Sequence, residues 1–213
     1  MSHGVVTWPN FFSMLRVLLL PGVAYGLARD DGTGMAICVT LFVVAGISDF
    51  LDGYLARRLN QVSPLGIALD PIADKIFAGA TVVLLVVYRD LPVWLALVVV
   101  GRDLLILGAG AILLRGRKIT LPSNLVGKYT FGILAFLLGS YVIRFHFGIT
   151  LTTIATLIMI AWSLVSYAQV FLAVRSEKEI PEEAPPWQLW LLRIATGICF
   201  VAFVIKLYIY WTS

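Results

Sequence analysis

The chain is predicted to be an all-α bundle of membrane-spanning helices, on three observations. Of its 213 residues, 60% are hydrophobic and only 13% are charged, a balance outside the range of soluble domains. Seven apolar runs approach the length needed to cross the hydrocarbon, about 20 residues; they lie near 10–28, 34–57, 70–88, 91–114, 124–144, 148–174 and 187–211. Strings such as "ATVVLLVVY" and "LALVVV" lack the alternation of a membrane-barrel strand and fit buried helices.

Each element can be justified in turn. The first run follows closely on "MSHGVVTWP", without a basic leader, so a retained helix is expected and no cleavable signal. Arg16 lies one turn inside it and reads equally as an anchor or a ligand contact; Asn10 reads equally as a cap or a site residue. The second run ends in "SDFLDGYLAR" and the third opens on "IALDPIADK". Proline is well tolerated at a helix start, so Pro71 is expected to mark the beginning of the third helix. The fourth run carries Arg102 and Asp103, and the fifth opens on "NLVGKYTF" with Lys128. Adjacent helical residues point about 100° apart, so a simple mutual salt bridge between Arg102 and Asp103 is expected to be poor. The charged, proline-bearing stretch 176–186 reads as a surface linker between a membrane domain over 1–175 and an additional helix over 187–213.

Connections on one side hold Arg57, Arg58, Arg115, Arg117, Lys118, Lys128, Arg175 and Lys178; those on the other hold Arg29, Arg89 and Arg144. The positive-inside rule makes the richer side cytoplasmic, with the N-terminus inside and the C-terminus outside. The net charge of +4 is then a collar facing anionic headgroups, and no nucleic-acid partner is needed. Trp and Tyr residues near the span ends, such as Trp8, Tyr88, Trp187 and Trp211, read as an interfacial belt. Cys38 and Cys199 fall inside spans as apolar packing residues, and His3 and His146 lack a second histidine at ligand spacing.

The acids are the chemical signal, since an ionised carboxylate at membrane depth costs roughly 3 kcal/mol or more. Asp49 and Asp52 stand three apart and Asp70 and Asp74 four apart, so each pair shares a helix face. The short loop "NQVSPLG" makes the two helices antiparallel neighbours, and all four carboxylates are expected to converge on one cavity at the cytoplasmic edge. Four acids that close stay ionised only with cations among them. All-oxygen ligation points to magnesium or manganese. Gly53, Ala56 and Gly66 remove bulk beside the acids, Arg57 offers a planar fork for phosphate oxygens, and Arg102 and Lys128 give a second basic pocket. A metal cluster flanked by basic pockets suits transfer of a phosphoryl-type group.

Asp49, Asp52, Gly53, Ala56, Arg57, Gly66, Asp70 and Asp74 together fill D-x-x-D-G-x-x-A-R, eight residues, then G-x-x-x-D-x-x-x-D. This string resembles the CDP-alcohol phosphotransferase signature at every position. "PNFFSMLRVLLLPG", "GRDLLI" and "VGKYTF" are likewise similar to helices of bacterial phosphatidylglycerophosphate synthases and cardiolipin synthases; the resemblance covers about residues 8 to 145. It implies a six-helix core, to which the seventh span is an addition. It also implies transfer of a phosphatidyl group from CDP-diacylglycerol to a small alcohol, with release of CMP. In that reading Asp49, Asp52 and Asp70 bind two divalent ions, and Asp74 lies at the metals as general base. Asp52, Gly53, Ala56, Arg57 and Gly66 contact the cytidine diphosphate portion. Arg102 and Lys128 hold the acceptor's phosphate.

The expected acceptor is glycerol 3-phosphate, with phosphatidylglycerol second and inositol phosphate third. "GRDLLI" carries the aspartate found in the cardiolipin enzymes, where many glycerophosphate enzymes have glutamate. A homodimer in a bacterial inner membrane, with its site at the cytoplasmic face, is the expected setting. A divalent cation transporter is the rival reading. It would tend to place its acids near the midplane, with broken helices in both halves, whereas these crowd one edge. Arg58 and Lys75 read as a headgroup anchor and a neutralising neighbour.

Overall fold

The computed structural model describes the backbone over 8–59, 64–114, 125–176 and 186–212; among the side chains outside that description are those of 52–59 and 64–71. The described residues form seven helices and no strand. They are α1 (Trp8–Arg29), α2 (Gly32–Leu59), α3 (Pro64–Tyr88), α4 (Val93–Leu114), α5 (Leu125–Val142), α6 (His146–Arg175) and α7 (Pro186–Thr212). Their places match the seven expected spans. Four helices carry stretches that are long and apolar enough to cross a bilayer, at Gly32–Asp49, Val93–Gly110, His146–Arg175 and Leu192–Ile209. The protein is a polytopic membrane helix bundle.

Pro71 does not open α3. The helix begins at Pro64, whose missing N–H costs nothing at a first helical position, and runs on through Pro71. Asp70 and Asp74 therefore stand in its second and third turns.

By its contacts the chain divides into two units, residues 1–96 and 97–213. In the first, α1 packs against both α2 and α3. Glycine makes the α1–α2 crossing close. A Cβ on Gly26 would stand 2.7 Å from Cys38 Sγ, and a Cβ on Gly34 would collide with the Gly26 carbonyl. Val23, Leu27, Cys38, Val82 and Leu85 are fully buried there, and both cysteines are free thiols.

The turn into α2 is held by its acids. Asp30 takes a left-handed φ of 51°, and Asp31 caps α2 by accepting from the Gly34 N–H at 2.6 Å. The Arg29 guanidinium, with that N–H second, holds the Asp31 carboxyl below its ordinary range. Arg89 closes the same end, donating through Nη1 to the Leu27 carbonyl at 3.2 Å and to Asp30 Oδ1 at 2.9 Å. Arg29 and Arg89 are thus each paired with an acid of this turn.

In the second unit α5 packs on α6, and α7 packs on both. Val126, Ile133, Met159 and Leu192 form its core, so α7 contributes a fully buried residue. The last turn of α5 closes as a Schellman motif: Arg144 at φ 54°, Phe145 N–H to the Ser140 carbonyl at 2.9 Å, and Arg144 N–H to the Tyr141 carbonyl at 3.2 Å. This presents the Phe145 ring edge-on to Phe203 of α7, at 5.5 Å between centroids. Phe203 and Phe200 also meet Phe136 of α5, at 5.4 and 5.6 Å.

Candidate active site

Three helices of the first unit bring their charges to one point. Arg16, on α1, is buried at 3% exposure. Its Nη1 donates to Asp49 Oδ1 of α2 at 2.7 Å and is ion-paired with Asp74 Oδ1 of α3. One nitrogen therefore bridges carboxylates 33 and 58 positions away in sequence. This realises the expected convergence for Asp49 and Asp74, and it adds a residue that sequence reasoning left divided between two roles. A guanidinium inside an apolar run is costly unless paired, and that cost was the available signal. Its partners could only be found by folding.

The carboxylates keep access to solvent. The Asp49 side chain is 50% exposed and that of Asp74 26%. Both groups offer carboxylate oxygen beside the Arg16 guanidinium. That donor chemistry fits a hard divalent ion. Asp52, Gly53, Ala56 and Arg57 lie on α2, and Gly66 and Asp70 on α3, with side chains outside the described residues. Among the described residues no group of three metal-ligating side chains occurs. α2 is helical without a break from Asp49 to Arg57, as α3 is from Gly66 to Asp74, so the register argument for each pair of acids holds on the backbone.

The second unit carries Arg102 and Lys128. Arg102 corrects the sequence reading, because it does pair with its neighbour: Nη1 donates to Asp103 Oδ1 at 2.6 Å. The flexible arginine stem bends across the angle between adjacent positions, which the rigid 100° argument ignored. The same guanidinium donates through Nη2 to Ser163 Oγ of α6 at 2.6 Å, a partner that sequence reasoning missed. The Arg102–Asp103 pair is mostly shielded, with side chains 13% and 23% exposed.

Arg102 also reaches the start of α5. A Cβ on Gly127 would lie 3.3 Å from the Tyr167 hydroxyl and 3.7 Å from Arg102 Nη2, so glycine gives the room in which α4, α5 and α6 share this corner. Lys128 follows immediately, exposed, at the edge of a groove between α5 and α7. The structure therefore places Arg102 and Lys128 around the same end of α5.

The chain belongs to the CDP-alcohol phosphatidyltransferase family, whose sequence model matches residues 6–165. Within it, the chain is 38% identical over 129 residues to a cardiolipin synthase (CMP-forming) of Streptomyces coelicolor, covering 58% of this chain and 59% of that protein. It is 40% identical over 125 residues to the human cardiolipin synthase (CMP-forming), covering 58% of this chain and 40% of that protein. The chain thus matches less than two thirds of the length of either relative. α7 lies beyond the family match.

Proposed function

We propose that the protein transfers a phosphatidyl group from CDP-diacylglycerol to phosphatidylglycerol, giving cardiolipin and CMP. The observation that carries the chemistry is the meeting of Asp49 and Asp74, from two helices, at a single cationic point. The acceptor rests on the names of the relatives, which favour phosphatidylglycerol over the glycerol 3-phosphate expected first.

In this reading the free hydroxyl of the acceptor's glycerol headgroup attacks the phosphorus of the phosphatidyl group. A phosphorus–oxygen bond forms to the acceptor as the one to CMP breaks, and CMP leaves with the electron pair. Asp74 takes the hydroxyl proton, a role that needs a partly exposed carboxylate within reach of the reacting atoms. Asp49, Asp52, Asp70 and Asp74 would hold Mg²⁺ or Mn²⁺, two ions in all. When bound, the ions would offset the charge of the pyrophosphate and of the phosphorus under attack. Gly53, Ala56, Arg57 and Gly66 would contact the cytidine diphosphate, and Arg102 and Lys128 the acceptor's phosphate. A homodimer whose active site opens at the cytoplasmic face of a bacterial inner membrane completes the proposal.

Glycerol 3-phosphate is the second reading, supported by the phosphorylated acceptor that Arg102 and Lys128 suit. Purified protein given labelled CDP-diacylglycerol, a divalent ion and each acceptor in turn separates them. Cardiolipin and CMP are expected with phosphatidylglycerol and little product with glycerol 3-phosphate. Phosphatidylglycerophosphate as the main product would reverse the order, and absence of CMP release with every acceptor would end the enzymatic reading.

A further inference from the structure

The second unit holds a cavity of about 560 Å³ between α5 and α7, within the usual range for small-ligand sites, about 300–1,000 Å³. Its walls are mostly apolar, with polar groups from Lys128, Arg193, Tyr129, Cys199 and two threonines. Val126 of α5 and Leu192 of α7 share one core cluster, and Phe145, just past α5, meets Phe203 of α7, so α5 and α7 run in the same direction, with Lys128 and Arg193 together toward one end. Phe136, Phe200 and Phe203 line the other. From Lys128 to Phe136 the helix rises about 12 Å. Gly132 and Gly197 lie on opposite walls, and a Cβ on either would meet no atom within 4 Å. The space is therefore left open by glycine and not filled by helix packing.

An apolar trough with two cations at one end and aromatic rings at the other matches one ligand chemistry, a fatty acyl chain attached to an anionic phosphodiester. Free glycerol 3-phosphate would use the cations and leave the trough unfilled. We infer that the α5–α7 groove seats an acyl chain of the phospholipid acceptor, with Lys128 and Arg193 flanking its phosphodiester; this rests on the proposal that the acceptor is phosphatidylglycerol. α7 thereby becomes part of the acceptor site and a determinant of specificity, although it lies outside the family match.

Gly197→Leu and Gly132→Leu test the inference, because each adds bulk to the groove from a position where a Cβ meets no atom within 4 Å, and Arg193→Ala removes a cation. Initial rates are measured in mixed micelles with phosphatidylglycerol and CDP-diacylglycerol varied separately. Gly197→Leu and Gly132→Leu should raise KM for phosphatidylglycerol by about tenfold or more and Arg193→Ala by about tenfold, as the loss of one charge-assisted hydrogen bond would. KM for CDP-diacylglycerol should stay within about twofold, which also reports an intact fold. An unchanged KM for phosphatidylglycerol in all three variants overturns the groove assignment while leaving the acceptor reading standing. An equal rise for both substrates overturns it as well, in favour of general destabilisation. If the unsubstituted protein consumes no phosphatidylglycerol, the acceptor reading itself has failed and the groove assignment falls with it.

Discussion

Where α1 crosses α2, a Cβ on Gly26 would stand 2.7 Å from Cys38 Sγ and 2.9 Å from the Gly34 carbonyl, whereas in the groove between α5 and α7 a Cβ on Gly132 or Gly197 would meet no atom within 4 Å. The same residue type brings two backbones together in one place and holds two helices' side chains apart in the other. The chemistry differs in parallel. On the helices of the close crossing, Arg16 is locked against Asp49 and Asp74 from different helices, and fixed carboxylates are what charge-positioned catalysis requires. Beside the open groove the cations Lys128 and Arg193 border apolar wall, and adaptable volume is what a lipid chain requires. Tight glycine contacts therefore mark the α1–α2 crossing, and open ones the α5–α7 groove that would admit a chain.

The largest effect expected is at the carboxylates. Asp74→Asn keeps the shape of the side chain but removes its basicity, so CMP release should fall by roughly 10²- to 10⁴-fold, the usual worth of a general base. Asp103→Asn should cost less than about tenfold, because the proposed transfer gives Asp103 no proton to take and its carboxylate serves to pair Arg102. The check is the rate of CMP release by the two variants at matched protein and saturating lipid. Equal losses would put a reactive carboxylate in the second unit and dissolve the contrast.

Next in size is the packing itself. Gly26→Leu has no space to occupy, and overpacking of this kind costs about 1–3 kcal/mol. Thermal unfolding in detergent should show that loss, while Gly197→Leu should stay within roughly 0.5 kcal/mol of the unsubstituted protein, as at an uncrowded surface. A comparable loss at Gly197 would mean that the groove closes in the folded protein.

Much of this was legible in the chain. Helix placement follows from run length and apolarity, and the facing of Asp49 and Asp74 follows from their spacing and the short intervening loop. The start of α3 was misread because Pro64 and Pro71 both precede apolar sequence. A helix can carry proline beyond its first turn at the loss of one hydrogen bond, here the one that would have reached the Ile67 carbonyl. Arg16 and Ser163 were not legible as partners. The contacts they make join helices distant in sequence, Arg16 with Asp49 and Asp74, Ser163 with Arg102. The groove was hidden for a similar reason: Arg193, Gly197 and Phe200 recur at intervals of four and three, as on any lipid-facing helix, and only their placement opposite α5 gives them meaning.

The smallest effects concern a third use of glycine, for left-handed backbone, which the described glycines do not make. Asp30 at φ 51° and Asp90 at φ 55° take those turn positions instead. Asp90 is exposed, so Asp90→Gly should relieve backbone strain and raise stability by roughly 0.5–1 kcal/mol. Asp30→Gly gains the same relief but removes the carboxylate that accepts from Arg89 Nη1 at 2.9 Å, where the Arg89 side chain is 3% exposed. A charge-assisted hydrogen bond is worth about 1.5–3 kcal/mol, and the lower end applies because the Asp30 side chain is 54% exposed. The net result should be a loss of up to about 1 kcal/mol, opposite in sign to that at Asp90. Parallel thermal melts of the two variants read the difference directly. Stabilisation by both would show that Arg89 is held well enough by the backbone carbonyls of Leu27 and Tyr88 to dispense with its acid.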